Sequence, residues 1–199
     1  MSRLILVRHA EPVDDAHGLC YGSLDFGISP AGHEHARRIA TALEGIDYGA
    51  VYASPRRRAR ETAEPLALVQ GLEVVIDDDV REIDFGDFEG RRYEEIEAAE
   101  PVLYREWMES PTTVRFPGGE SYTDVSVRAV GAFERIRAAH SCAVVVTHGG
   151  VIRAGLAAWL AMPGPAIFRL GQSYGGLTVV DWVEDIPLVR LMNGESITR

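Results

Sequence analysis

Two short apolar runs, each ending at a histidine, constrain the fold of this chain more than any other feature of its sequence. The first covers residues 4–7 and is followed by Arg8 and His9, and the second covers residues 143–147 and is followed by His148. Uninterrupted apolar runs of this length predict strands that are buried on both faces. Open α/β sheets bind ligands outside the carboxyl ends of their strands, so both histidines are expected at a ligand-binding edge. A polar exit of each strand into solvent is the alternative interpretation.

Three further parts of the chain predict strands, and helical patterns separate most of them. Residues 50–54 and 73–76 predict short strands, and the end of the chain predicts a closing pair of strands around a turn at Glu184–Asp185. This alternation predicts an α/β sandwich with a mostly parallel sheet. Residues 81–118 are less periodic, and we expect them to form an excursion over the sheet edge within a single domain of residues 1–199.

The helices carry recognisable start signals. Ser29 is the expected N-cap of the first helix, with Pro30 at its first helical position. A second helix follows the strand at residues 50–54, and Pro65 is expected to kink or break it. Ser121 and Asp124 predict a capping box at the start of a third helix.

The composition excludes several classes of function. A formal net charge of −10 argues against a general nucleic-acid binder, although a local pocket can still attract a small anion. No apolar run approaches the length of a membrane span, and the strand-like first residues do not resemble a signal peptide. The two cysteines, Cys20 and Cys142, form no disulfide framework, which indicates a reducing compartment. We therefore expect a cytoplasmic protein with no nucleic-acid partner and no membrane contact.

All 20 basic residues are arginine, because the sequence contains no lysine. Its absence excludes chemistry that needs a lysine, such as a Schiff base, a pyridoxal phosphate enzyme or a Walker-A P-loop. Any anion held by side-chain charge is therefore bound by arginine or by protonated histidine. The planar guanidinium fork suits phosphate or carboxylate.

More groups suited to an anion follow the predicted strands. Gly149 and Gly150 come directly after His148 at a helix start, where backbone N–H groups and the helix dipole favour an anion. The strand at residues 50–54 leads into a group of four arginines: Arg56, Arg57, Arg58 and Arg60. These arginines form either a solvated helix face or a face from which one side chain turns inward.

Four motifs, in this order, resemble those of the histidine phosphatase superfamily, the phosphoglycerate-mutase-like group. They are "VRHAEP", "SPRRRARETA", "EIDFGDFEG" and "VVVTHGGVIRA", and "GSLDFGISPAGHEHARR" is similar to the stretch that follows the first motif in that family. Together the four motifs span residues 4–154. The resemblance implies a three-layer α/β/α sandwich, which agrees with the alternation of strands and helices.

The resemblance also implies a role for individual residues. His9 matches the nucleophile that becomes phosphorylated, Glu82 matches the proton donor, and His148 matches the second histidine of the pocket. Arg8 and Arg58 match the arginines that bind phosphate. Such a site needs no metal and no cofactor, because phosphoryl transfer depends mostly on positioning and on stabilising charge at the phosphoryl oxygens. The partners would be a small phosphorylated substrate and the product, inorganic phosphate.

The chain departs from the family pattern at two places. Ala10 follows His9 where the family usually has glycine, and the asparagine that helps many members to hold phosphate is absent, since Asn193 is the only asparagine. Ser23 is a candidate replacement for that contact, although an ordinary turn serine is an equally good interpretation. Cys20, with its neighbour Tyr21, is a further candidate for the pocket mouth, and buried packing is the alternative for its thiol.

The resemblance leaves three functions open. Family mutases carry basic residues just after the proton-donor glutamate, whereas Ile83 and Asp84 follow Glu82 here. "EIDFGDFEG" is similar to broad-specificity phosphatases and to α-ribazole phosphatase-like proteins, which favours a metal-independent phosphomonoesterase that acts through a phosphohistidine. A mutase is the second hypothesis, and a non-catalytic phosphate-binding regulator is the third. We expect residues 81–118 to determine the substrate, and the sequence leaves the oligomeric state open.

Overall fold

A six-stranded sheet with the order β3-β2-β4-β1-β5-β6 forms the centre of the fold. The computed structural model describes residues 1–197, so residues 198–199 of the predicted domain lie outside the described residues. Neighbouring strands among the first four in this order run parallel, whereas β5 pairs antiparallel with both β1 and β6. The prediction of a mostly parallel sheet is confirmed. The strands are β1 (Ser2–Arg8), β2 (Val51–Ala53), β3 (Val74–Ile76), β4 (Cys142–Thr147), β5 (Leu177–Val183) and β6 (Ile186–Gly194).

Helices cover both faces of the sheet, so the three-layer α/β/α architecture is also confirmed. Alternate residues of β1 point to opposite faces: Leu4 and Leu6 join the core under α5 and α6, and Ile5 and Val7 join the core under α1 and α2. This alternation is the period-2 geometry of a strand, and here both sets of side chains are fully buried. The helices are α1 (Pro30–Ala42), α2 (Arg57–Val69), α3 (Tyr93–Ala99), α4 (Pro101–Glu109), α5 (Tyr122–Ala139) and α6 (Gly149–Trp159).

The helix start signals in the sequence are confirmed. Ser29 caps α1 by accepting a hydrogen bond from the backbone N–H of Gly32 at 3.0 Å. At the start of α5, Ser121 and Asp124 form the expected capping box: each side chain accepts a hydrogen bond from the other residue's backbone N–H. These caps satisfy backbone donors that have no partner inside the helix.

Of the kink or break expected at Pro65, the break is wrong, because α2 continues through this residue to Val69. Proline removes one backbone hydrogen bond inside a helix, at a cost of about 3 kcal/mol. The buried side chains of Ala63 and Leu66 lie on either side of Pro65 and pack against the sheet core. Tertiary packing of such an apolar face supplies most of the stability of a helix in a protein.

Residues 81–118 contain α3, α4 and a short 3-10 helix, Gly86–Phe88, and they cover the α5–α6 face of the sheet. Their aromatic side chains pack together, and the Trp107 ring meets the ring of Phe116 at a centroid distance of 5.0 Å. At the end of the chain, β5 and β6 form the predicted closing pair, and Glu184 takes a positive φ of 58° in the turn between them. Within residues 1–197, no helix has both the length and the apolar character that a membrane crossing requires.

Candidate active site

The register between β1 and β4 places the two motif histidines next to each other. Val7 lies opposite Val146 and Arg8 opposite Thr147, and the backbone N–H of His9 donates to the carbonyl of Thr147 at 2.9 Å. His9 and His148 therefore leave the sheet side by side, and their ring centroids are 5.1 Å apart.

A cavity of about 320 Å³ opens at this edge of the sheet, and five of the residues named from the sequence line it: Tyr21 and four that match family roles. Arg8 and His9 come from the end of β1, Arg58 from the first turn of α2, and Glu82 from the loop that follows the short 3-10 helix Asp78–Val80. Residues that are up to 74 positions apart in the sequence thus share one cavity because their elements end at the same sheet edge.

His9 has a single nitrogen free for chemistry. Its side chain is 3% exposed, and Nδ1 lies 2.8 Å from the carbonyl oxygen of Ala10. A carbonyl oxygen accepts hydrogen bonds only, so Nδ1 must carry the proton and Nε2 keeps its lone pair. The backbone N–H of Ala10 donates to the hydroxyl of Thr62 at 2.9 Å, which fixes the carbonyl's position.

His148 is wholly buried, and its Nε2 lies 2.8 Å from the hydroxyl oxygen of Ser54. Its Nδ1 is buried and has no hydrogen-bond partner among the described residues. Because an orphaned buried polar atom is costly, this nitrogen is a candidate for contact with a ligand. In the sequence Ser54 is only one residue of a motif, and no local pattern indicates its contact with His148.

Both histidines are held in the neutral form. Burial is the largest cause that lowers the pKa of His9 well below its ordinary value, and the positive charges of Arg58 and Arg8 lower it further. Burial is also the largest cause that lowers the pKa of His148, followed by nearby charges. A neutral imidazole is the form that has a nitrogen lone pair available for nucleophilic attack.

Arg58 is the one of the four clustered arginines that is buried; Arg56 is half-buried, and Arg57 and Arg60 are exposed. The Arg58 side chain is fully buried, and Nη1 and Nη2 donate to the carbonyls of Leu24 and Gly22 at 2.7 and 2.8 Å. Burial lowers the pKa of the Arg58 guanidinium, but an arginine side chain stays charged in proteins. Arg57, in contrast, is exposed and pairs with Glu61 at 2.6 Å.

Unpartnered donors remain on both arginines of the cavity. The Nε atoms of Arg8 and Arg58 are buried without a partner among the described residues, while Nη1 of Arg8 donates to the carbonyl of Gln172. Two cations, each with a buried and unpartnered Nε–H group, beside two neutral histidines form a site whose charge suits an anion.

Glu82 lies beside the start of α6. Its Oε2 accepts a hydrogen bond from the backbone N–H of Gly150 at 3.3 Å, and Oε1 accepts one from Ile83 at 3.1 Å. A Cβ at position 150 would lie only 2.5 Å from Oε1, so a glycine is needed there for the carboxylate to approach. Arg128 holds the backbone of this loop by donating to the Glu82 carbonyl at 3.1 Å.

Gly149 is the first residue of α6, and two guanidinium groups flank it. A Cβ at position 149 would lie 3.3 Å from Nη1 of Arg153 and 3.6 Å from Nε of Arg8. The first residue of α6 thus lies beside two positive charges, in addition to the N-terminal dipole of the helix, while the Glu82 carboxylate lies beside the second residue. Arg153 was not singled out from the sequence, although it lies within the last motif.

Cys20 and Ser23 lie behind the cavity wall and are not among the described residues that line it. Cys20 is fully buried in the core under α5, and burial raises the pKa of its thiol. The backbone N–H of Ser23 donates to Oε1 of Glu89 at 2.9 Å, as part of a loop that this carboxylate holds together.

Two tyrosines form part of the cavity wall, each over one of the two arginines. The Tyr174 ring lies 4.0 Å from the guanidinium carbon of Arg8, and the Tyr21 ring lies 4.9 Å from that of Arg58. The two hydroxyl oxygens are 3.4 Å apart, so the rings meet across the cavity. Tyr174 carried no motif signal, and only the fold brings it to the site.

The model of the histidine phosphatase superfamily (branch 1) matches residues 4–195. The chain belongs to this superfamily. Phosphoserine phosphatase 1 of Hydrogenobacter thermophilus is 33% identical over 195 residues, which cover 97% of this chain and 92% of the relative. The metal-independent phosphoserine phosphatase of Arabidopsis thaliana is 33% identical over 159 residues, which cover 77% and 67% of the two chains.

The fold of this histidine phosphatase is also close to that of solved structures. An Escherichia coli K-12 protein assigned as an α-ribazole-5′-P phosphatase has a TM-score of 0.90 and 26% identity, with 100% of this chain and 98% of that chain covered. The family resemblance identified from the four motifs is confirmed, and the protein is a phosphatase. Among residues 1–197, no group of three or more His, Cys, Asp or Glu side chains is arranged to hold a metal ion.

Proposed function

We propose that this histidine phosphatase hydrolyses the phosphate monoester of a small metabolite, without a metal, through a phosphohistidine at His9. The observation that carries the proposal is the pairing of a free His9 Nε2 with unpartnered donors on Arg8 and Arg58 in one cavity. A phosphoryl group there would meet a nucleophile and the charge-assisted hydrogen bonds that stabilise its oxygens.

In the first step, the lone pair of His9 Nε2 attacks phosphorus, and the bond from phosphorus to the leaving oxygen breaks. Arg8, Arg58, His148 and the start of α6 at Gly149 bind the phosphoryl oxygens. Glu82 gives its carboxyl proton to the leaving oxygen, which departs as an alcohol.

In the second step, water attacks the phosphohistidine while the Glu82 carboxylate accepts a proton from it. The bond between phosphorus and Nε2 breaks, and inorganic phosphate is released. The hydrogen bond from His9 Nδ1 to the Ala10 carbonyl holds the ring in one orientation through both steps.

Hydrolysis is favoured over the mutase alternative by the residues that follow Glu82. Ile83 is buried, and the Asp84 carboxylate accepts a hydrogen bond from the backbone N–H of Gly86 at 2.9 Å, so neither supplies a basic group. The phosphatase names of the relatives support the same choice. The name of the Arabidopsis relative supports the absence of a metal requirement. A reducing, cytoplasmic location belongs to the same proposal, since Cys20 and Cys142 are both buried and unpaired.

The test is turnover of p-nitrophenyl phosphate after exhaustive chelation, followed by trapping of the intermediate under an alkaline quench. We expect full activity without metal and an alkali-stable, acid-labile phosphoryl label on the peptide that contains His9. His9→Ala should abolish the label and the turnover, whereas His17→Ala, an exposed histidine in the wall of the same cavity, should keep the label. Activity that returns only with a divalent metal, or a label on another residue, would contradict the proposal.

A further inference from the structure

A second cavity, of about 220 Å³, adjoins the first one at Glu82. Glu82, Phe85 and Tyr93 line both cavities, so the two spaces are neighbours that share one wall. The second cavity therefore lies where the proposed general acid would meet a leaving group, and its size suits a small organic group.

Aromatic side chains form most of the wall of the second cavity. Phe85, Trp107 and Phe116 come from the segment of residues 81–118, Tyr122 from α5, and Phe168 from the 3-10 helix Gly164–Arg169. These rings offer apolar contact for a carbon skeleton but no charge.

Arg153 is the one cation in this wall among the described residues. Its Nε donates to the carbonyl of Leu170 at 2.8 Å, and its guanidinium lies over the ring of Phe168 at 5.6 Å. Among the described residues, no carboxylate lies within ion-pair distance of Arg153, and Nη1 and Nη2 have no hydrogen-bond partner. By contrast, Arg128 in the neighbouring loop network is paired with Glu120 at 2.8 Å.

The environment of Arg153 is unfavourable for an isolated charge. The residue is half-buried, and burial is the main cause that lowers the pKa of its guanidinium; the charge of Glu82 raises this pKa, and the positive charge of Arg8 lowers it further. An arginine nevertheless remains charged, so an anion that enters the cavity would relieve this cost. The two free terminal nitrogens form the fork that binds a carboxylate at both of its oxygens.

We propose that the second cavity receives the leaving alcohol of the substrate and that Arg153 binds a carboxylate on that alcohol. The substrate class is thus the phosphate monoesters of small hydroxy acids, an assignment that rests on the proposed function. A carboxylate fits better than a second phosphate, because a single guanidinium balances one negative charge and, apart from the proposed acid Glu82, the other side chains that line the cavity are uncharged. Arg8 and Arg153 flank the same position, Gly149, so the phosphate and the carboxylate are held a few bonds apart.

The test compares two matched probes, 3-phospho-D-glycerate and sn-glycerol 1-phosphate, which share one configuration at the secondary alcohol and differ only in whether the carbon next to it is a carboxylate or a hydroxymethyl group. Each is measured as a competitive inhibitor of p-nitrophenyl phosphate hydrolysis and as a substrate. The variants are Arg153→Met, which removes the charge, and Arg153→Lys, which keeps a charge but loses the Nε hydrogen bond to Leu170. Arg169→Met removes an exposed arginine nearby and is the matched control.

The wild-type protein should bind the carboxylate probe about 10- to 100-fold more tightly than the hydroxymethyl probe, as expected for a charge-assisted pair of hydrogen bonds. Arg153→Met should erase that preference through a higher inhibition constant and KM for the carboxylate probe. Any change in its hydrolysis of p-nitrophenyl phosphate should match the change in its affinity for the other probe, and both changes should be smaller than the loss for the carboxylate probe. Arg153→Lys should keep part of the preference, and Arg169→Met should keep all of it.

Two results would overturn this assignment: equal affinity of the wild-type protein for the two probes, or an equal loss for both probes in Arg153→Met. The second result would mean that Arg153 serves the phosphate site or the local structure. Absence of any p-nitrophenyl phosphate hydrolysis would contradict the proposed function instead, and calorimetric titration with the two probes would still decide on the carboxylate contact.

Discussion

His148 Nε2 and the hydroxyl oxygen of Ser54 lie 2.8 Å apart, and both side chains are fully buried. The same hydroxyl oxygen accepts a hydrogen bond from the backbone N–H of Arg56 at 3.3 Å, so its proton is free to be donated to Nε2. In that arrangement Nδ1 of His148 carries the ring proton, and it is this nitrogen that lacks a partner. Ser54 thereby presents His148 as a hydrogen-bond donor to a bound phosphoryl group.

Replacement of Ser54 by alanine should therefore weaken catalysis by removing the group that sets the His148 tautomer. We expect kcat/KM to fall about 10-fold, the equivalent of about 1.4 kcal/mol. Ser29→Ala is the control, because it removes a helix cap, at a cost of about 1 kcal/mol of stability, from a residue that does not line the cavity. Steady-state kinetics and urea unfolding of both variants separate the two effects. An equal loss of activity in Ser29→Ala would show that the effect of Ser54 is one of stability only.

Arg58 and Arg57 are neighbours in sequence, but we expect only Arg58 to be important for catalysis. Arg58→Ala should lower kcat/KM about 10²- to 10³-fold, the effect typical of losing one donor to transition-state charge. Arg57→Ala removes a surface ion pair with Glu61, which is worth at most about 1 kcal/mol of stability, and should leave kcat/KM within about twofold. Kinetics on folded protein, checked by thermal unfolding, measure both. Similar losses in the two variants would refute the assignment of Arg58 to the phosphate.

The importance of Glu82 should depend on the leaving group. An alkyl alkoxide must be protonated as it leaves, whereas nitrophenolate is a weak base and needs little help. Glu82→Gln keeps a carbonyl oxygen for the Gly150 N–H but has no carboxyl proton to give. This variant should therefore slow the hydrolysis of alkyl phosphates about 10²- to 10⁴-fold and slow the hydrolysis of p-nitrophenyl phosphate far less.

Asp84 and Glu89 are the acids that could replace Glu82 in this role. Unlike Glu82, neither is among the described residues that line the cavity, where the leaving group would lie. Asp84→Asn and Glu89→Gln should consequently affect alkyl and nitrophenyl substrates to the same degree. If the activity of either variant depends on the leaving group while that of Glu82→Gln does not, the residue changed in that variant is the general acid.

The ring of Tyr174 should matter more than its hydroxyl group. The ring lies over the Arg8 guanidinium at 4.0 Å, a contact worth about 0.5–2 kcal/mol. Tyr174→Phe keeps the ring and should retain KM within about twofold, whereas Tyr174→Leu should raise KM about 2- to 30-fold. If the Tyr174→Phe and Tyr174→Leu variants have the same KM, the ring does not position Arg8. The hydroxyl contact with Tyr21 then becomes the better explanation of any effect of Tyr174 on KM.

Stability should fall as the pH drops below about 6.5, the ordinary pKa of histidine. The folded protein keeps His9 and His148 neutral because their pKa values are lowered, while the unfolded chain protonates them. The unfolded state then binds more protons, so the free energy of unfolding is fully present above about pH 7 and is lost at lower pH. The expected slope is about 1.4 kcal/mol per pH unit for each histidine.

Urea unfolding between pH 5.5 and 7.5 measures this slope. His148→Gln should reduce the slope of the free energy of unfolding against pH by the contribution of one histidine. His33→Gln, which changes an exposed side chain, should leave this slope unchanged. A free energy of unfolding that is constant or rises as the pH falls through 6.5 would contradict the neutral state of the two buried histidines.

The sequence by itself determined where the strands end and which side chains follow them. The apolar runs before His9 and His148 predicted two buried strands, and the parallel geometry of α/β sheets then predicted that both histidines share one edge. The helix caps at Ser29 and Ser121 were equally accessible, because a cap depends on residues within three or four positions of each other. The family motifs added Glu82 to the candidate site residues and distinguished Arg58 from the neighbouring arginines. Local sequence patterns alone identified neither residue.

Only the tertiary structure decided which distant residues complete the site. Ser54 meets His148 from 94 positions away, Tyr174 reaches Arg8 from 166 positions away, and Arg153 faces a cavity whose other walls come from residues 81–118 and beyond. These contacts depend on strand register and on how the helices pack, which short-range patterns do not encode. The same reason explains Pro65: local propensity predicted a break, and the energy of packing α2 against the sheet outweighed it.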